Sequence, residues 1–243
     1  FRITPEGRFD VVAEYDGAPN GLTIHADGDL YVADRRNGIV RIDPASGDAQ
    51  TILGELPNAP LKGTNDLVFD CEGHLYFTDQ GGTGLHDPTG RLVRLGNDGT
   101  VDVLLDNAPS PNGLAFDIAE RALFLAVTRA NAIWHVPLAR DHKRVGRVGL
   151  YLQMSGGPEG GPDGLAVDGT NRLCIAHARM GCAWVLSPLG EPAFRIRVPG
   201  GNLVTNLAFG GADDRTLYIT ESETGSIWTA QLPDPGQPLY SHS

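Results

Sequence analysis

Apolar and polar residues alternate along this chain in runs of four to six residues, each run ending at a turn that usually contains glycine. In the segment 66–105, Asp66-Leu67-Val68-Phe69-Asp70 is followed by the turn Cys71-Glu72-Gly73 and then by His74-Leu75-Tyr76-Phe77-Thr78. After a longer loop come Arg91-Leu92-Val93-Arg94-Leu95, the turn Asn97-Asp98-Gly99, and Val101-Asp102-Val103-Leu104-Leu105. Alternation with a period of two, broken by Asp-Gly turns, predicts antiparallel strands joined as hairpins. The segment before it repeats the order: Leu22-Thr23-Ile24-His25, the turn Asp27-Gly28, Leu30-Tyr31-Val32-Ala33, Ile39-Val40-Arg41-Ile42 and Thr51-Ile52-Leu53. No stretch carries the 3.6-residue period of an amphipathic helix.

One short phrase opens each group of strands. It reads Pro19-Asn20-Gly21-Leu22, Thr64-Asn65-Asp66-Leu67, Pro111-Asn112-Gly113-Leu114, Pro162-Asp163-Gly164-Leu165 and Val204-Thr205-Asn206-Leu207. The leading positions 20, 65, 112, 163 and 205 are separated by 45, 47, 51 and 42 residues. Four strands per repeat, with a period in the forties, predict an all-β β-propeller forming one domain over residues 1–243. Phe1-Arg2-Ile3-Thr4, the turn Pro5-Glu6-Gly7 and Phe9-Asp10-Val11-Val12-Ala13 read as the two outer strands of a further blade within residues 1–15. Five complete repeats plus this half predict a six-bladed ring whose first blade lacks its inner strands. Because the chain starts with Phe1 inside a strand, its natural start is expected to lie upstream.

Composition narrows the partners. Thirty Asp and Glu against 19 Lys and Arg give a net charge of -11, which argues against nucleic acid and anionic membrane surfaces. No apolar run reaches the length of a membrane span. Cys71, Cys174 and Cys182 are odd in number and lack C-x-x-C spacing; they read as free thiols in a reducing, cytoplasmic setting. Oligomeric state is not legible.

In a propeller the repeat-opening phrases converge on the central axis, on the face that also carries the longer loops between the second and third strands. That places Asn65, Asn112 and Asp163 around one point, with Asn20 and Thr205 at equivalent positions. Amide and carboxylate oxygens suit a hard divalent cation, Ca²⁺ foremost, with Mg²⁺ and Mn²⁺ as further fits. An Asn or Asp before Gly is also an ordinary turn former, and Asn20 stands open between the two readings. His86 and His177, placed on mouth loops, are candidates for holding substrate. Arg129 is another, for an anion or a sugar hydroxyl, with a surface salt bridge as its other reading. Asp79, closing its strand, is expected to bond neighbouring backbone.

These residues resemble the senescence marker protein/gluconolactonase family, which includes regucalcin, sugar lactonases and, more distantly, diisopropyl fluorophosphatase. The similarity covers essentially the whole chain and is carried by Thr64-Asn65-Asp66-Leu67, Leu75-Tyr76-Phe77-Thr78-Asp79, Ser110-Pro111-Asn112-Gly113-Leu114 and Gly161-Pro162-Asp163-Gly164-Leu165. The resemblance implies a six-bladed propeller with one axial divalent metal (Zn²⁺ and Fe²⁺ join the candidates). Asn112 and Asp163 would be ligands, and Asn65 a ligand or a holder of water and substrate. Asp163 would also be the catalytic base, or a nucleophile in the phosphatase branch. Two departures stand out. The Glu-Gly-Pro phrase that supplies the family's remaining ligand is missing, and neither Glu6 nor Glu159 replaces it. Gly63 occupies the position where the regucalcin-like branch has Arg.

The implied activity is metal-dependent hydrolysis of a small sugar lactone, with Asp163 taking a proton from water and Asn65, His86, Arg129 and His177 contacting the substrate. The alternatives are organophosphate hydrolysis at the same site, a non-catalytic binding propeller, and a calcium-associated role without turnover.

Overall fold

The computed structural model describes residues 1–4, 6–156 and 159–242 and is built almost entirely of β-strands. A short ribbon, β1 (Arg2–Ile3) and β2 (Phe9–Asp10), comes first. The first blade holds β3 (Pro19–Ile24), β4 (Leu30–Asp34), β5 (Gly38–Ile42) and β6 (Ala49–Leu53). A small hairpin follows, β7 (Glu55–Leu56) with β8 (Ala59–Pro60). The second blade is β9 (Thr64–Phe69), β10 (Leu75–Asp79), β11 (Gly90–Leu95) and β12 (Val101–Ala108). The third is β13 (Pro111–Phe116), β14 (Ala122–Val127), β15 (Ala132–Pro137) and β16 (Gly149–Gln153). The fourth is β17 (Gly161–Val167), β18 (Leu173–Ala178), β19 (Cys182–Leu186) and β20 (Pro192–Arg197). The fifth has β21 (Val204–Gly210), β22 (Thr216–Glu221) and β23 (Ser226–Gln231).

Each blade is an antiparallel sheet in chain order. Alternate residues of a strand therefore face opposite neighbours. In β10, Phe77 packs with Ala33 and Ile39 of the first blade, while Tyr76 packs with Leu114 and Phe116 of the third. The same arrangement joins the third blade to the fourth through Ile133 and Ile175, and the fourth to the fifth through Val185 and Ile219. The core thus lies between blades rather than within a single sheet.

The expectation of a propeller with blades opening near 20, 65, 112, 163 and 205 holds to within two residues. The expected count does not. Five blades are present among the described residues, not six, and the fifth has three strands rather than four. The expected outer pair at 1–15 is only the β1–β2 ribbon, and Pro5 of its turn lies outside the described residues. After β23 the chain leaves the sheet and runs along the lower face. Gln237 N donates to Val167 O (3.0 Å), Pro235 O accepts from Gly169 N (2.8 Å), and the Tyr240 ring packs on His25 and Phe69. This tail connects the fourth and fifth blades to the first two. All three cysteines are free, Cys71 exposed and the other two buried. No helix among the described residues is long and apolar enough to cross a membrane.

Candidate metal centre and mouth pocket

Each repeat-opening phrase sits on an irregularity in its strand pair. In the third blade Pro111 faces Val127 and Leu114 faces Leu125, so three steps on β13 match two on β14. The same extra residue occurs between Pro19 and Leu22, between Thr64 and Leu67, between Pro162 and Leu165, and between Val204 and Asn206. A β-bulge twists the strand and turns side chains away from strict alternation. The phrase therefore does more than start a strand: it re-aims Asn65, Asn112 and Asp163 at the top of three successive inner strands.

Threonines tie these strands to the neighbouring blades. Thr78 Oγ1 donates to Asn112 O and Thr128 Oγ1 to Pro162 O, both at 2.8 Å, and Thr64 Oγ1 donates to Asp34 O at 2.8 Å. One layer deeper, glycines make room for neighbours. A Cβ on Gly21 would lie 2.5 Å from Asp66 Oδ1, and one on Gly164 would lie 2.0 Å from Asn206 Oδ1. Gly113 is pressed against Asp163 O, 2.3 Å from where its own Cβ would be. No larger residue fits at these three positions without moving backbone or an axial polar group.

The site's polar groups are preset. Asn65 Nδ2 donates to Gln80 Oε1 (2.9 Å) and Gln80 Nε2 donates to Ser110 Oγ (2.9 Å). With its amide nitrogen so engaged, Asn65 has Oδ1 left for a cation or substrate. Ser110, just before the Pro111-Asn112 phrase, is buried at φ 63°, a left-handed conformation rare for a side chain other than glycine. Strain of this kind is commonly held at functional sites by the surrounding structure; here Ser110 N also donates to Thr83 Oγ1 at 3.1 Å.

Two carboxylates meet near the axis. Burial first, and then the nearby Asp66 charge, push Asp163 up to about 7, while an interaction with the Asn112 side chain works the other way. Burial likewise pushes Asp66 up to about 7, against the pull of the Leu67 and Leu114 amides. A cation among these oxygens would relieve both. The donor set of two amides and a carboxylate, with a second carboxylate beneath, fits a hard divalent ion. Among the described residues there is no cluster of three His, Cys, Asp or Glu, so any such site depends on the Asn oxygens.

Other candidates separate. Asn20 is exposed, and its Nδ2 donates to Asn65 O at 2.9 Å, which supports the neighbouring strand. Thr205 Oγ1 is 3.1 Å from Thr220 Oγ1. His86 and Arg129 line a mouth pocket of about 690 Å³ together with Arg35, Gln80, Thr83 and Ser110. His177 is not on a mouth loop: it lies fully buried within β18, its Nδ1 accepts from Trp184 Nε1 (3.2 Å), and burial lowers its pKa to about 4. Asp79 bonds backbone as expected, its Oδ1 accepting from Lys62 N (2.7 Å) and Gly63 N (2.8 Å) while Oδ2 pairs with Arg91. Asp34 and Glu221 close β4 and β22 in the same manner. Three residues have no role in the expected site: Asp66, and Gln80 and Arg35, which lie on loops expected at the mouth. Asp66 had a signal, since the repeat sets it against Gly21, Gly113 and Gly164.

With this geometry in place, the chain can be set beside known proteins. It is a β-propeller with an oxygen-lined axial centre. The SMP-30/gluconolactonase/LRE-like region family model matches residues 1–223, and the chain belongs to that family. It is 27% identical to the lactonase drp35 of Staphylococcus saprophyticus over 91% of this chain and 72% of that protein. It is 26% identical to the diisopropyl-fluorophosphatase of Loligo vulgaris over 93% of this chain and 76% of that one. A solved gluconolactonase from Xanthomonas campestris superposes with a TM-score of 0.79 at 25% identity, covering 92% of this chain and 75% of its own.

Proposed function

We propose that this protein hydrolyses a small sugar lactone to the hydroxy acid with the help of one divalent cation, Ca²⁺ foremost. What supports this reading is that Asn65, Asn112 and Asp163 each sit in a bulge opening an inner strand of three successive blades, with the Asn112 side chain interacting with Asp163, on the scaffold of a family with lactonase members. Asn65 Oδ1, Asn112 and Asp163 would hold the cation, which when bound supplies Lewis-acid polarisation of the ring carbonyl. Asp163 takes the proton of the attacking water, the C–O bond of the ring breaks, and the proton passes to the departing alkoxide. Gln80, fixed between Asn65 and Ser110, orients the substrate at the edge of the mouth pocket, with His86 and Arg129 above it. His177 acts on the substrate only indirectly, by holding the Pro162-Asp163 strand from behind.

Leu22 and Ile24 of β3 are exposed on the side away from the second blade, as is Tyr218 of β22 on the fifth blade. Similarity to diisopropyl-fluorophosphatase favours a second reading, phosphoester or phosphofluoridate hydrolysis at the same centre.

The test is turnover of gluconolactone, xylonolactone and diisopropyl fluorophosphate by metal-stripped protein, alone and with Ca²⁺, Mn²⁺, Zn²⁺, Mg²⁺ or Fe²⁺ restored. Metal-stimulated ring opening supports the lactonase reading; rates no higher than spontaneous hydrolysis under every condition would remove it.

A further inference from the structure

Three successive loops above the axis close on one cavity, and its charge does not match that of the molecule. Arg35 comes from the turn after β4, the segment Gln80–His86 from the loop after β10, and Arg129 from the single 3₁₀ turn Thr128–Ala130 after β14. No carboxylate lines the cavity among the described residues, although acidic side chains outnumber basic ones by 11 in the chain. Neither Arg35 nor Arg129 forms an ion pair among the described residues, whereas the adjacent Arg36 is paired with Asp16 and Arg91 with Asp79. Arg129 is held in place by donating Nη1–H to Glu159 O at 2.6 Å. Gly84 packs against the His86 ring and the Arg129 stem, so these two side chains share one wall. The amides of Gly82 and Thr83 make no hydrogen bond among the described residues.

We infer that the substrate carries an anionic substituent, a carboxylate or phosphate ester, which binds between Arg35 and Arg129 while the ring sits over the axial centre. This rests on the hydrolase reading above and specifies its substrate class. The physical argument is one of desolvation. A neutral sugar would be served by Gln80, Thr83 and Ser110, which already line the floor. Covering two unpaired guanidinium groups with a neutral sugar removes water from like charges and returns only neutral hydroxyl acceptors, with no opposing charge. An anion offsets that cost with charge-assisted, planar hydrogen bonds that guanidinium groups make well. A cationic mouth on an acidic protein also draws anions in preference to the rest of the surface.

The experiment compares kcat/KM for three lactones on the complete protein: gluconolactone (neutral), glucaric acid 1,4-lactone (carboxylate) and 6-phosphogluconolactone (phosphate). One anionic lactone is expected to exceed the neutral one at least tenfold, through KM, and which one it is names the group. In Arg35→Gln this preference falls at least tenfold, Arg35→Lys restores part of it, and raising NaCl from 50 to 500 mM shrinks it. Arg129→Gln behaves like Arg35→Gln with a further loss from freeing Glu159 O. No preference in the wild type, or a preference that Arg35→Gln leaves intact, overturns the inference. If no lactone turns over, calorimetric binding of glucarate or 6-phosphogluconate that Arg35→Gln weakens tenfold sustains the anion site while removing the hydrolase reading. Absence of such binding overturns the anion site as well.

Discussion

Strands β9 and β3 carry the same phrase at equivalent positions of neighbouring blades, yet they live in different surroundings. In β9 every residue but Val68 is buried; in β3 only Gly21 is. The same contrast runs through the molecule. The second, third and fourth blades have a packed sheet on each side, whereas the first and fifth each have a sheet neighbour on one side only. On the first blade's other face Ala13 and Tyr15 cover Val32, Val40 and Ile42 but leave Leu22 and Ile24 exposed. Asn65, Asn112 and Asp163 all come from the covered blades, and Asn20 and Thr205 from the flanking ones. The repeat therefore specifies a blade, while its neighbours decide whether the axial residue becomes part of a rigid, low-dielectric centre. Burial raises Asp66 and Asp163 to about 7 for that reason.

The sharpest way to break this comparison is at Asp163. Asp163→Asn keeps the shape and removes the proton acceptor, and turnover is expected to fall by about 10²–10⁴-fold with the circular dichroism spectrum unchanged. Wild-type turnover in this variant would detach the chemistry from the covered blades altogether. Next in size is a core truncation. Phe77→Ala empties a fully buried position between the first two blades and is expected to cost about 3–5 kcal/mol in urea unfolding. Asp79→Asn is expected to cost a similar amount, about 3–5 kcal/mol, since Arg91 and the Lys62 and Gly63 amides lose a buried anion. A small effect at either position would show that the second blade is held no better than the first.

How far these differences were legible in the sequence depends on what sets them. The strands and blade starts were legible because period-two alternation and Gly-bearing turns are local properties. Asp79 was legible too, as a carboxylate at a strand end facing an incoming loop. The fifth blade's missing fourth strand was not, because residues 232–242 find their partners on the lower face, in Val167 and Phe69. His177 was misplaced by one strand end: β18 continues through Ala178, and pairing with Cys182 draws the ring into the blade. Gln80 and Arg35 were legible as residues of loops at the mouth, but their roles were not, because the hydrogen bonds and cavity that define them form only between blades.

A pH titration sharpens the electrostatic half of the comparison. Asp66 and Asp163 have folded values raised above their ordinary 3.8, so the folded state holds more protons than the unfolded chain between about 4 and about 7. The stability they contribute is full below the unfolded value and is lost as pH rises through the folded one. His177, lowered to about 4, works the other way between about pH 4 and 6.5, but the two carboxylates outweigh it, and metal-stripped protein is expected to show Tm falling from pH 4 towards pH 7.5 in calorimetry at constant ionic strength. Asp163→Asn flattens that slope, and added Ca²⁺ reverses it in the wild type. A flat wild-type profile would mean that the two carboxylates are better solvated than their burial implies.

The smallest effect belongs to the flanking face. Leu22 is 53% exposed, so Leu22→Ser in this chain removes little buried area and is expected to shift unfolding by no more than about 0.5 kcal/mol. The number discriminates because Leu22, Val32 and Val40 lie side by side across the first blade on the face turned from the second. A leucine in water contributes almost nothing; one covered by another strand pair contributes about 1.5–3 kcal/mol. A loss of that larger size would mean that the cover Ala13 and Tyr15 give to Val32 and Val40 extends over Leu22 as well. The first blade would then be held on both faces, and the contrast with the covered blades would rest on the fifth.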